Sequence, residues 1–338
     1  MDSLSLDTLG VIRDYVGKES YLHFGILSRD FDKLWNDFPK KTRALTKDTT
    51  MDFLVYSFNS GLKKSFTILE TIAKIGRLDL FILCRAINCP WSRKVSSRAA
   101  SHGNLDILKW SRLHGCLWDR NVAIQSAKYG HLEVLKWARS QGCGWDARVI
   151  SKAAYNNHFE VIKWAKNNGC NWDRFATACA AKNGNFDILN YCYLNGAPWD
   201  YLTCDYAVLY GHFHILKFCR QRGCEWMSTT TTSAAKSGQL EILKWCRQHE
   251  CNWNMDTTKY AAKRGHLEVF KWSLENGCPW SSIAICFSAA SNGHLDILEY
   301  FDKFDTIQQD YLDMISKVSL VHGFPDITAW VNKKRLST

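Results

Sequence analysis

From residue 76 to residue 293 the chain alternates two apolar patterns, each spaced as a helix requires. The second pattern is clearest at Leu132-Glu133-Val134-Leu135-Lys136-Trp137-Ala138. Its apolar positions cover well over half the circumference at ~100° per residue, which predicts a short helix buried on several sides. Only Glu133 and Lys136 share the remaining stripe, acid before base at i,i+3, the favourable order on a solvated face. The pair recurs as Asp106/Lys109, Glu160/Lys163, Glu241/Lys244 and Glu268/Lys271. The first pattern is a run of about ten residues through a small pair such as Ala99-Ala100, Ala153-Ala154 or Ala261-Ala262, where two helices can approach closely.

The boundaries of both helices are marked. The first helix is expected to start after Ser92, Asp119, Asp146, Asp173, Asp200, Asn254 or Ser281, residue types whose side chains accept from exposed helix N–H groups. Met227 is the exception, with Ser228 one step later. It ends at Gly76, Gly103, Gly130, Gly184, Gly211, Gly238, Gly265 and Gly293, with Asn157 in the one vacant position. Those residues can take the left-handed conformation that closes a helix. Successive marks are 27 residues apart, except the last step of 28. A fixed period of this size predicts a solenoid in which each unit covers its neighbour's apolar face. The fold class expected is therefore all-α, one long body of stacked helix pairs over residues 46–300 in about nine units. A degenerate unit and cap follow at 301–338, where Gly323, Ile327 and Trp330 keep the spacing and Asn332-Lys333-Lys334-Arg335 supplies a polar end.

Composition narrows the setting. No apolar run reaches the ~20 residues of a membrane span, and the acidic start Met1-Asp2-Ser3-Leu4-Ser5-Leu6-Asp7 is unlike a signal peptide, so an intracellular, cytoplasmic protein is expected. Of fourteen cysteines, seven (Cys89, Cys116, Cys143, Cys170, Cys224, Cys251, Cys278) hold one position of successive units. Stacked helices lie about 8–10 Å apart, too far for the ~4.4–6.8 Å that a disulfide needs between Cα atoms. The recurrent His131, His212, His266 and His294 lack the two-plus-two ligand spacing of a zinc site. Small buried thiols are expected, with no metal and no cofactor. Thirteen of the fifteen tryptophans form two ladders, in the loop before each cap and in the second helix. They are expected in the core, the loop tryptophan stapling the incoming chain to the first helix.

The string Gly-His-Leu-Glu-Val-Leu-Lys-Trp at 130–137, preceded by the small pair, resembles the second half of an ankyrin repeat. The usual unit has 33 residues and a Thr-Pro-Leu-His start. Here that tetrapeptide is absent, and the resemblance implies a hairpin finger cut to a Gly-Cys-x-Trp-Asp loop. The short, Trp-rich unit looks like ankyrin-like families of giant DNA viruses and some algae. Outside the repeat, residues 1–45 suggest two or three amphipathic helices with Leu6, Leu9, Ile12, Phe31 and Trp35 as apolar positions. Their order is similar to an F-box, which would imply docking on the adaptor of a cullin ubiquitin ligase, although the Leu-Pro opening is replaced by Ser5-Leu6-Asp7. A plain N-terminal cap for the stack is the other reading.

No nucleophile–base pair, phosphate-cradling loop or carboxylate pair stands out from the periodic background, so no enzymatic activity is expected. In a solenoid the informative residues are those that vary while the frame stays fixed. They include the first positions of the first helices: Arg93, Lys94, Arg120, Arg148 and Arg174 in the early units, Tyr201, Thr229 and Met255 among the later ones. Cations at a helix N-terminus oppose the macrodipole. Either they pair with the cap aspartates of neighbouring units, or they form a basic half of a binding face made for an acidic protein partner. The first function expected is a monomeric protein–protein interaction scaffold, a substrate receptor if the N-terminus is F-box-like. The alternative is nucleic-acid binding, favoured by a net charge of +10 and the aromatic ladders.

Overall fold

The computed structural model describes residues 45–59 and 62–337. The expected adaptor-docking residues Leu6, Leu9, Ile12, Phe31 and Trp35 lie outside the described residues. Twenty-one α-helices and no strands occur among those described. The chain divides after Asn171 into two units.

In the first unit a single helix α1 (Met51–Asn59) precedes four helix pairs. These are α2 (Phe66–Ile75) with α3 (Leu78–Ala86), α4 (Arg93–Ser101) with α5 (Leu105–Leu113), α6 (Asn121–Lys128) with α7 (Leu132–Ser140), and α8 (Arg148–Tyr155) with α9 (Phe159–Asn167). The second unit contains six pairs. They are α10 (Arg174–Lys182) with α11 (Phe186–Leu194), α12 (Tyr201–Leu209) with α13 (Phe213–Gln221), and α14 (Ser228–Lys236) with α15 (Leu240–Gln248). Then follow α16 (Met255–Arg264) with α17 (Leu267–Glu275), α18 (Ser282–Ala290) with α19 (Leu295–Phe304), and α20 (Gln309–His322) with α21 (Pro325–Ser337).

Within each unit the first helices of successive pairs pack against one another as a tight row, and the second helices meet more loosely. The small pairs explain the tightness. Ala99, Ala100, Ala153, Ala154, Ala234, Ala235, Ala261 and Ala262 are fully buried, so backbones approach where longer side chains would hold them apart. The core behind them is aliphatic, with Leu108, Leu135, Ile162, Leu216 and Leu243 all fully buried.

Hydrogen bonds repeated at the same position knit neighbouring pairs together. The Nε2–H of His131 donates to the Ser101 carbonyl at 3.2 Å and that of His158 to Lys128 at 3.1 Å. In the second unit His212, His266 and His294 do the same to Lys182, Lys236 and Lys263 at 3.1–3.3 Å. Each acceptor lies at the end of the preceding pair's first helix, where carbonyls lack intrahelical partners. Asn104 does this work for α2, donating to Ala73 and Lys74 at 2.7 and 3.0 Å. The recurrent histidine is thus a structural link between repeats.

The thiols form a second such ladder. All fourteen cysteines are buried. The Sγ–H of Cys143 points to the Asp119 carbonyl at 3.5 Å, Cys224 to Asp200 at 3.4 Å and Cys251 to Met227 at 3.4 Å. Burial pushes the Cys278 thiol up to about 12, which suppresses the reactive thiolate.

Two expectations are corrected. Among the described residues the tryptophans are half-buried and not part of the core, and Trp280 is exposed. Helices drawn together by alanine pairs leave no interior space for indoles. The loop tryptophan has a ring partner. It packs edge-to-face on the second helix of its own pair: Trp118 on Trp137 at 5.6 Å, Trp145 on Trp164 at 5.8 Å, Trp226 on Trp245 at 5.7 Å. Its other side is covered by an arginine, as Arg85 over Trp91 at 4.0 Å and Arg139 over Trp145 at 4.1 Å. The same guanidinium donates to the Cys89 or Cys143 carbonyl. The second, smaller correction concerns Ser281, whose side chain makes no capping hydrogen bond.

Burial pushes the His131 imidazole below its ordinary value, against the weaker upward pull of its bond to Ser101. The folded state therefore resists a proton that the unfolded chain accepts near 6.5. Stability from this group is complete above that value and is lost as pH falls through the lower folded pKa. His131→Asn, which copies Asn104, is expected to fold and to flatten the loss of unfolding midpoint as pH falls below about 6.5. Urea melts across that window check it; an unchanged slope would show that His131 is not a source of the pH dependence.

Candidate functional site

The face that varies from repeat to repeat is the exposed side of the first helices. Its frame is set by caps: Ser92 Oγ accepts from Lys94 N at 3.2 Å, Asp119 from Asn121 N at 2.8 Å and Asp146 from Arg148 N at 3.1 Å. In the second unit Asp173, Asp200 and Asn254 cap in the same way. Met227 cannot, and Thr230 Oγ1 instead accepts from the Met227 N–H at 3.5 Å.

The five predicted cations divide into two kinds. Arg120 and Arg148 both reach Asp146, at 3.3 and 2.7 Å, and Arg174 reaches Asp200 at 3.3 Å. Arg148 binds both carboxylate oxygens, its Nε lying 3.0 Å from Oδ1. The Arg148 bonds, with help from Arg120, hold the Asp146 carboxyl down at about 2. These arginines serve the caps of their own and the following repeat, yet more than half of each side chain remains exposed. Arg93 and Lys94 are exposed and have no carboxylate within 4 Å among the described residues.

Two further cations belong to this face and escape a reading confined to the helix starts. Arg98 and Lys152 stand one turn beyond Lys94 and Arg148 and are exposed. The i,i+4 spacing that places them beside those residues is visible in the sequence. In the second unit the two equivalent positions hold Phe175 and Cys179, Leu202 and Tyr206, Thr229 and Ser233, Asp256 and Tyr260, then Ile283 and Phe287. Phe175, Ile283 and Phe287 are 45%, 54% and 50% exposed. Tyr201 is half-buried, Thr229 exposed and Met255 54% exposed. The first unit thus offers a cationic face and the second a nearly neutral one of aromatic, aliphatic and hydroxyl groups.

The second helices differ. Lys136–Glu133 and Lys163–Glu160 close at 2.7 Å, Lys244–Glu241 and Lys271–Glu268 at 3.0 Å. The shorter Asp106 makes no such contact with Lys109 among the described residues. Charge is therefore largely matched on this side. A shallow recess between α13 and α15 is lined by Lys217, Arg220, Trp245, His249 and Glu250. Arg220 already stacks 4.1 Å over Trp226.

Among the described residues, no group of three or more His, Cys, Asp or Glu side chains is placed to hold a metal ion. No described helix is long and apolar enough to cross a membrane.

No family model matches the chain, and no curated protein matches it. Among solved structures it is similar to the crystal structure of the human ASB11 ankyrin repeat domain. The likeness covers 46% of this chain and 84% of that one, at 16% identity and a TM-score of 0.39. On the geometry of its own repeats, each unit is an all-α stack of helix pairs joined by short loops.

Proposed function

We propose that this protein is a non-catalytic protein-interaction scaffold whose partner is read by the exposed side of the first helices. The observation that carries this is the contrast between a frame repeated pair after pair and a face that changes at every repeat. Over the first unit the partner is acidic; over the second it presents apolar and hydroxyl groups. The aromatic ladders give little support to nucleic-acid binding. Their rings are paired edge-to-face and several are covered by arginines, so they are not open stacking platforms. A monomer working inside the cell suits the buried thiols. If residues 1–45 are F-box-like, the scaffold is a substrate receptor for a cullin-type ubiquitin ligase; Leu9→Asp with Ile12→Asp then abolishes co-purification of the adaptor.

Photo-crosslinking tests the face. A photoreactive residue in place of Thr229 or Arg98 is expected to trap the partner, and one in place of Lys136, on the second-helix side, is not. Equal trapping at Lys136 would overturn the assignment. Tight oligonucleotide binding with a steep log-linear salt dependence would instead favour the nucleic-acid reading.

A further inference from the structure

Lys94 and Arg98 form an exposed i,i+4 cation pair on α4, and Arg148 and Lys152 occupy the same two positions on α8, two repeats further on. Between them α6 carries Asn121 and Gln125 at these positions. Apart from the contacts of Arg148 with Asp146, neither cation pair helps the fold. Like charges at i,i+4 destabilise a helix by about 0.2–0.5 kcal/mol, and Lys94 and Arg148 sit in the first turn, where the helix dipole opposes a cation. Asp146 balances only one of the two arginines that reach it. Lys94, Arg98 and Lys152 have no carboxylate within 4 Å among the described residues. On the second helices, by contrast, four lysines have an acid three residues earlier at 2.7–3.0 Å.

We infer that this face of the first unit takes an extended acidic segment of a protein partner, carrying two clusters of carboxylates about six residues apart. The inference rests on the proposed scaffold function and specifies its ligand. Two repeat spacings separate the cation pairs by roughly 16–20 Å. An extended chain rising about 3.3 Å per residue covers that span in five or six residues. Between the clusters the Gln125 amide and the side-chain carbonyl of Asn121, whose Nδ2 already donates to Asp119, can bond the partner's backbone. A phosphate backbone fits less well. It carries a charge at every nucleotide, would meet neutral groups at α6, and would pass the carboxylates of Asp119 and Asp146.

The test uses the full chain and fluorescently labelled peptides bearing two Asp-Glu clusters whose centres lie three, six or twelve residues apart, read by anisotropy. The six-residue peptide is expected to bind at least about 5-fold tighter than the other two. Arg98→Glu with Lys152→Glu should weaken it at least about 10-fold, as exposed ion pairs are lost and reversed. The melting temperature should be unchanged or slightly higher. The same variant should gain affinity for a peptide with Lys-Arg clusters at six-residue spacing, which a loss of fold cannot produce. Equal affinity at all spacings, or an unaffected variant, overturns the inference. So does preferential binding of oligo-dT that the six-residue peptide fails to displace. If crosslinks still map the partner to Thr229 and Arg98 while the peptides fail, the scaffold function stands and only the extended acidic ligand falls.

Discussion

Gly130→Val is expected to destabilise the first unit by at least ~2 kcal/mol, the result of two separable costs. Gly130 has φ +77°, a region that L-residues resist by roughly 1–2 kcal/mol and β-branched ones most of all. A Cβ there would also lie 2.6 Å from Nδ1 of His158. The ring would have to swing away and give up its 3.1 Å bond to the Lys128 carbonyl. Gly142 isolates the first cost: its φ is +75°, but nothing lies within 4 Å of an added Cβ. Gly142→Ala should therefore cost only about 1 kcal/mol. Asn157→Gly should be near neutral, because Asn157 already holds φ +62°. Urea denaturation of the three variants, with m-values compared, gives the ranking. Equal losses at positions 130 and 142 would show that the histidine contact is not tight. If the contact is tight, combining Gly130→Val with His158→Ala should cost less than the sum of the two single changes.

The same positions show how far the repeat could be read in advance. The left-handed slot and its occupant Asn157 follow from the period and from which residues tolerate that conformation. The histidine collision does not, because it depends on the distance between successive repeats and not on any local pattern. Asn88 and Glu250, at φ +61° and +63°, occupy the slot that glycine fills after most second helices. Asn88 suits that conformation; nothing in the structure accounts for Glu250. The arginine–aspartate pairing was one of two readings open to the sequence, and the geometry at Asp146 shows it. Arg98 and Lys152 needed the helical phase of the exposed face, which only burial along α4 and α8 settles. The tryptophans depart from expectation because a fixed period does not distinguish an interior position from an aromatic one at the surface. An indole with a guanidinium over one face is equally periodic and lies at the surface of each pair.

That distinction carries the other large expected effect. Phe270→Ala should cost about 3–5 kcal/mol, whereas Trp272→Ala, two residues on, should cost only about 1–2 kcal/mol although it removes the larger side chain. Phe270 is fully buried, with Phe301 at 6.2 Å and Tyr300 at 6.3 Å, so its loss leaves a cavity between α17 and α19. Trp272 is half-buried against Trp253 at 5.8 Å, and water can follow it out. Other pairs place leucine where Phe270 stands, as at Leu108, Leu135 and Leu243. Phe270→Leu should accordingly lose clearly less than the alanine change, the remainder reflecting how well Phe301 closes the gap. Chemical denaturation of the three variants decides the matter. A larger loss for Trp272→Ala than for Phe270→Ala would return the tryptophan ladder to the core and remove the argument that its rings are committed to the surface of each pair.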